Sequence, residues 1–312
     1  GQLIDATTGA HIWADKFDGR LEDVFDLQDQ ITASVVGELE PTMRKAEIRR
    51  ALRKPASHLG AYDLYLQALP HIYLVLEDEN RKALDLLQRA LALDPDYAPA
   101  LGHGAWCLVQ RLTRGWSAYA EDDRAMAVSW ARRALAIGSD DAKAVVLGGF
   151  ALVLLREDYV AGMDAARRAV AINPGSGFVL GMAGCALVFG DAIEEGLELL
   201  DRGISICRND PNLFAILSVA ALGRLFAGEP DMAIELATRS YVLNPEWDSA
   251  RWVLITAFME NGREPEARAL AKELLVKSPD TRVSTYERTL PIRNPDQRAR
   301  VITCLTGAGV PP

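Results

Sequence analysis

The sequence predicts an all-α solenoid of about six helical hairpins, preceded by a short β-hairpin and a long helix. Three observations carry this. Alanine and leucine dominate a chain that is 49% hydrophobic but only 7% aromatic, a balance that favours helix over strand. Proline or serine punctuates the chain at a near-constant interval. Small residues recur at fixed distances before each mark.

The interval is plainest in "NPEWDSARWVLITAFMENGREPEARALAKELLVKSPD", where Pro245 and Pro279 stand 34 residues apart. Earlier marks are Pro95, Ser139 and Pro174, with Arg208 as the equivalent position in "ISICRNDPN". Ser139 to Pro174 is 35 residues and Pro174 to Arg208 is 34, the loop after Arg208 carrying three extra. Pro95 to Ser139 is 44, with the excess in "RLTRGWSAYAEDDR". Twelve, eight and five residues before each mark stand Ala83, Leu87 and Ala90; Ala127, Ala131 and Ala134; Gly162, Ala166 and Ala169; Gly196, Leu200 and Gly203; Ala233, Ala237 and Ser240; and Ala267, Ala271 and Leu274. Mostly small side chains at such spacing let two helices cross closely. The turns "REDYVAG", "FGDAIEEG", "AGEPDMA" and "NGREPEA" set Gly, Asp or Glu before the second helix, where caps and acidic residues are favoured. A hairpin of this size cannot bury its apolar face alone, so it stacks on the next. The Pro or Ser ends one hairpin and turns the chain into the following one.

These residues resemble the tetratricopeptide repeat family over residues 61–280, although most units lack that family's early Trp and Tyr. The C-terminal residues 281–312 break the period. There "RNPDQ" starts a helix expected over Asp296 to Leu305, ended by Gly307, which is read as a cap on the last apolar face. Residues 1–54 differ in kind. "QLIDATTGAHIWADKFD" alternates around a Thr8–Gly9 turn, with Leu3, Ile12 and Trp13 as its apolar positions, and predicts a β-hairpin. Leu27, Ile31, Val35, Leu39 and Met43 then stripe a long helix, with Pro41 as a kink. Two strands alone are unstable in water, so the expectation is a fragment whose remaining sheet lies upstream.

The stretch "QLIDATTGAHIWADKFDGRLEDVFDLQDQI" resembles the tail of the TolB-like α/β domain that precedes such repeats in bacterial signalling proteins. "AWCLVQRLTRGW", "ARRALAIGSDDAKA" and "LPIRNPDQRARVITCLTGAGVPP" resemble the C-terminal half of class III adenylate/guanylate cyclase-like proteins of soil bacteria. The resemblance implies a cyclase as the parent, with catalysis in an N-terminal domain outside this chain. A related group carries a winged-helix DNA-binding domain instead, and a free-standing scaffold is the third expectation.

No catalytic residue, cofactor or metal site is expected. P-loop, H-E-x-x-H and G-x-S-x-G patterns are missing. Cys107, Cys185, Cys207 and Cys304 are scattered, consistent with a reducing cytoplasm. Asp122–Asp123, Asp140–Asp141 and "EDEN" (Glu77 to Asn80) read as helix-start acids. His58, His71 and His103 read as isolated surface or core residues, and His11 as a strand residue. A net charge of −9 disfavours nucleic acid and anionic lipid. No apolar run reaches the ~18 residues of a membrane span, so membrane insertion is not expected.

Binding is then the expected function. The first helix of each hairpin should line a concave face with Trp106, Lys143, Phe150, Phe178, Phe189, Phe226, Trp252 and Met259. Such rings either receive an apolar or helical segment of a protein partner or pack between adjacent helices. Trp116 and Tyr119, in the inserted loop, either contact a partner or fold back to plug the longer turn. No basic cluster for a C-terminal carboxylate is expected on this face. The open edge of the N-terminal hairpin is expected to pair with a second copy of the chain.

Overall fold

The computed structural model describes residues 2–4, 9, 11–14, 43–54, 59–117, 120–206, 210 and 213–312. Leu27, Ile31, Val35, Leu39, Pro41, His58, Tyr119 and Cys207 lie outside the described residues. β1 (Gln2–Ile4) and β2 (His11–Ala14) pair antiparallel, Leu3 opposite Trp13, with an irregularity between Leu3 and Ile4. Helix α1 spans residues 43–52. Its Met43, expected on an apolar stripe, is 53% exposed, whereas Ala51 is buried.

The helices that follow pair in order: α2 (Ala61–Leu74) with α3 (Glu77–Leu93), α4 (Ala98–Thr113) with α5 (Ala120–Ile137), and α6 (Ala142–Leu154) with α7 (Tyr159–Ile172). Likewise α8 (Gly177–Phe189) pairs with α9 (Ile193–Ile206), α10 (Leu213–Phe226) with α11 (Pro230–Leu243), and α12 (Asp248–Glu260) with α13 (Glu264–Lys277). First helices stack on first helices, α4 on α6, α6 on α8, α8 on α10 and α10 on α12, giving a helical solenoid.

Two recurring turns set this geometry. After α3, α5, α7, α11 and α13 the residue before the punctuation accepts a hydrogen bond from the residue three further on. The pairs are Tyr97 N to Asp94 O at 3.2 Å, Asp141 N to Gly138 O at 3.2 Å, Ser176 N to Asn173 O at 3.4 Å, Trp247 N to Asn244 O at 3.0 Å and Thr281 N to Ser278 O at 3.0 Å. Proline or serine stands second in each turn, where a fixed negative φ costs nothing. After the first helices, the residue at the reversal takes a left-handed conformation. It is Val75 after α2, Gly115 after α4, Arg156 after α6, Asp191 after α8, Gly228 after α10 and Gly262 after α12. From α4 onward the next N–H returns five residues, as in Glu157 N to Leu152 O at 2.9 Å and Arg263 N to Phe258 O at 2.8 Å. This corrects the capping reading of "AGEPDMA" and "NGREPEA". Their glycines close the first helix, and α11 and α13 start without a side-chain cap, with proline in the first turn instead. In "REDYVAG" Asp158 does cap α7, accepting from Ala161 N at 2.9 Å.

All eighteen positions read as close-crossing sites are buried. Between α8 and α9 the approach is backbone to backbone. A Cβ added to Gly184 would lie 2.6 Å from Leu200 Cγ and 2.7 Å from Gly196 O.

The C-terminus departs from a simple end cap. Two helices form, α14 (Val283–Thr289) and α15 (Pro295–Gly307), and Asn294 caps α15 by accepting from Asp296 N at 3.0 Å and Gln297 N at 3.3 Å. Helix α15 packs on α12 and buries Val301 and Leu305, as a cap would. The extended residues between the two helices run back to the middle of the solenoid. Arg293 N donates to Phe189 O at 2.9 Å, Tyr159 OH to Pro291 O at 3.1 Å and Asn294 Nδ2 to Asp191 Oδ2 at 3.1 Å. Leu290 and Ile292 are buried beneath this strap.

Substituting Gly184→Ala gains helix propensity of about 1 kcal/mol but forces apart two backbones, an overpacking cost of roughly 1–3 kcal/mol. The expected net effect is a lower denaturation midpoint by circular dichroism. An unchanged or raised midpoint would show that the α8–α9 crossing has slack.

Candidate functional site

A cavity of about 900 Å³ follows the concave side of the solenoid. Its helical wall comes almost wholly from first helices, from Ile72 in α2 through Trp106 in α4, Phe150 in α6, Met182 in α8 and Val219 in α10 to Trp252 in α12. The inner helices supply this wall because they pack on both flanks and carry apolar residues all round. In α8 every residue from Gly177 to Phe189 is buried. Rings on successive first helices meet one another. Trp106 and Phe150 have centroids 5.5 Å apart, and Phe150 stacks on Phe189 at 6.3 Å and 23°.

Two segments roof the cavity. One is the C-terminal strap with the residues leading into it. The other is the inserted loop after α4. Arg114 in that loop lies over the Trp116 ring at 5.3 Å and over the Trp247 ring at 4.8 Å. Trp247 is fixed at the start of α12, its Nε1 donating to Ser218 Oγ at 3.0 Å and its ring set edge-on to Phe214 at 5.1 Å. The insertion therefore reaches across to the far end of the solenoid. Burial pulls the Arg114 guanidinium below its ordinary 12.5, against the upward pull of Asp248.

Asp248 organises the polar end. Its Oδ2 accepts from Tyr286 OH of α14 at 3.0 Å, and its Oδ1 lies 4.0 Å from Arg251 Nη1. Arg251 is almost fully buried and also donates to the Pro245 carbonyl. The Asp248 side chain borders the cavity and is 47% accessible. Burial raises its pKa from 3.8, against the Tyr286 hydrogen bond and the charges of Arg251 and Arg114. Glu246 pairs with Lys277 at 3.1 Å at the rim.

Of the residues expected to line a concave face, Trp106, Phe150, Phe178, Phe189 and Trp252 border this cavity, and Trp116 joins them. The rings satisfy both sequence readings at once, packing between helices and presenting a face to the cavity. Three do not border it. Lys143 sits at the start of α6, in the first turn. Phe226 ends α10 and packs half-buried against the core. Met259 lies under α15, its methyl 3.0 Å from where a Gly307 Cβ would stand. Each falls at or next to a helix end. Sequence reasoning missed Arg114, Trp247, Asp248, Arg251 and Tyr286. Three of them follow Pro245 directly, and that position at a first-helix start was the available signal. Arg114 and Arg251 are basic groups that border the cavity.

Other candidate groups are spoken for. His103 is buried against Tyr65, its Nδ1–H facing Pro99 O at 3.0 Å, and burial lowers its pKa to about 3. Burial raises the Cys107 thiol to about 12 and that of Cys304 to about 11. His71 pairs with Glu79 at 2.5 Å. Asp141 caps α6, accepting from Ala144 N at 2.9 Å. Asp123 lies within α5, not ahead of it, and accepts from Ser117 Oγ at 2.6 Å. Among the described residues no group of three or more His, Cys, Asp or Glu is placed to hold a metal, and no helix is long and apolar enough to cross a membrane.

The architecture defines the class: a tetratricopeptide-like helical solenoid. It superposes on the crystal structure of the APC/C hetero-tetramer Cut9-Hcn1 with a TM-score of 0.56 and 12% identity, over 92% of this chain and 52% of that one. The human IFIT1 dimer with m7Gppp-AAAA gives 0.56 and 14%, over 82% of this chain and 56% of that one. At this identity the likeness speaks to fold alone. No family model matches the chain. A Rhizobium meliloti (strain 1021) protein described as "Putative adenylate cyclase 3" is 29% identical over 127 residues, covering 41% of this chain and 22% of that protein.

Two outcomes are expected. Ile292→Ala should destabilise the strap by about 2–5 kcal/mol, read as faster amide exchange at Arg293. Exchange unchanged there would mean the strap is held without its apolar anchor. Asp248 binds its proton more tightly in the folded chain than in the unfolded one. Its contribution is therefore full below about pH 3.8 and declines as pH rises above it. Asp248→Asn removes that titration and keeps an acceptor for Tyr286. The stability of wild type minus variant should fall as pH rises above about 3.8, by chemical denaturation at each pH. A flat difference would contradict the raised pKa.

Proposed function

We propose that this chain is a protein-interaction and regulatory module, the C-terminal region of a bacterial class III adenylate or guanylate cyclase. Cyclic-nucleotide synthesis would belong to a domain upstream, and no chemistry is assigned to this chain. The observation that carries the reading is the 29% identity over 127 residues to the Rhizobium meliloti protein. It agrees with the resemblance of "LPIRNPDQRARVITCLTGAGVPP" and of the N-terminal stretch to the repeat-bearing cyclase group. The repeat fold supports the interaction role, since stacked hairpins present one continuous curved surface. The rings of Trp106, Phe150, Phe178, Phe189 and Trp252 are the proposed contact residues, with Trp116 at the roof. A protein segment reaching them must enter beside the strap or displace it. Dimerisation through the edge of β1 and β2 is carried by nothing beyond their own pairing and forms no part of this reading.

The test is the size of the native protein in its own cell, by immunoblot against this chain. A band well above 34.1 kDa is expected, and the immunoprecipitated species should convert ATP or GTP to the cyclic nucleotide. A band at 34.1 kDa would overturn the cyclase reading and leave a free-standing scaffold. A larger species that binds DNA and makes no cyclic nucleotide would point to a transcription regulator instead.

A further inference from the structure

We propose that the roofed concave cavity is a binding site for a small apolar carboxylic acid, its carboxylate held by Arg114 and its body lying along the aromatic wall. The inference stands on this chain alone and does not depend on what lies upstream. Volume and lining come first. About 900 Å³ sits within the usual range for a small-molecule site, and a mostly apolar wall with few polar groups is the usual lining. Two chain segments close over it. An occupant of limited size fits under that roof, whereas a helix would have to displace it.

Charge then selects the ligand. Lys277 is already paired with Glu246, and Arg251 is engaged by Asp248 and by the Pro245 carbonyl. Arg114 is different. It lies over two indole rings, and among the described residues no carboxylate forms an ion pair with it. Contacts to the ring faces use the flat of the guanidinium and leave its in-plane N–H groups to donate. That edge matches the two oxygens of a carboxylate. The competing negative charge is Asp248, which is drawn off by Tyr286 and Arg251 and is held toward its neutral form by burial. A bound acid would join the inserted loop after α4 to the start of α12, and so fix the closed form of the solenoid.

The test is isothermal titration of the full chain with 2-naphthoate and with 2-naphthamide, which share a shape and differ in charge. Naphthoate is expected to bind about tenfold tighter or more, as a charge-assisted pair allows. Arg114→Met, with its fold checked by circular dichroism, should bring the two within about twofold by weakening naphthoate alone. Equal affinities in the wild type, no binding of either compound at millimolar concentration, or a preference that survives in Arg114→Met would each overturn the proposal. If Arg114→Met fails to fold, Arg114→Gln takes its place, and the wild-type comparison still decides.

Discussion

Everything in this fold depends on how closely the two helices of a hairpin can approach. Where Gly184 of α8 faces Gly196 of α9, backbone meets backbone, with Leu200 and Val188 packed at the edge of the crossing. Close approach makes each hairpin thin and stiff. Thin hairpins stack at short spacing, and short spacing brings side chains of successive first helices into contact. The Trp106–Phe150–Phe189 series is the product of that spacing. The same constraint explains why the first helices are apolar all round, since each is pressed between neighbours and also forms the inner wall.

A stacked array has no inherent reason to close on itself, because each hairpin touches only its neighbours. This chain closes through two departures from the repeat. The insertion after α4 begins with the same turn as the others, Gly115 left-handed and Trp116 N returning to Arg111 O at 2.9 Å. Arg114, the last residue before that turn, lies against Trp247. The strap returns from α14 to Phe189 and Asp191, burying Leu290 and Ile292 on the way. Neither contact is between sequence neighbours, and both are made possible by accumulated twist. The result narrows the groove on two sides and leaves it partly open.

Enclosure changes the chemistry of the groups inside. Asp248 and Arg114 would be ordinary surface charges on an open face. Under the roof, desolvation pushes each toward its neutral form, while their mutual attraction and the Tyr286 hydrogen bond resist it. A charge left short of partners in such a place is sensitive to what enters.

Most of the array could be read from residues alone. The marks from Pro95 to Pro279 are local turn chemistry, and the small residues before them are local crossing chemistry. Both act within one hairpin, so one hairpin's sequence suffices to show them. Trp106 and Phe150 were legible for the same reason, because equivalent positions of a repeat share a face, whereas Phe189 stands about one turn further along its helix. Lys143, Phe226 and Met259 were misplaced, each at or next to a helix end. The roles of Arg114, Trp247, Asp248 and Tyr286 were hidden, although every one of them is plain in the sequence. Their partners lie more than a hundred residues away or on α14, a helix the repeat does not predict. Sequence by itself determined the unit and its stacking, which depend on near neighbours. Only the tertiary structure decided that the solenoid closes and which charges it encloses, because closure depends on small rotations summed over many hairpins.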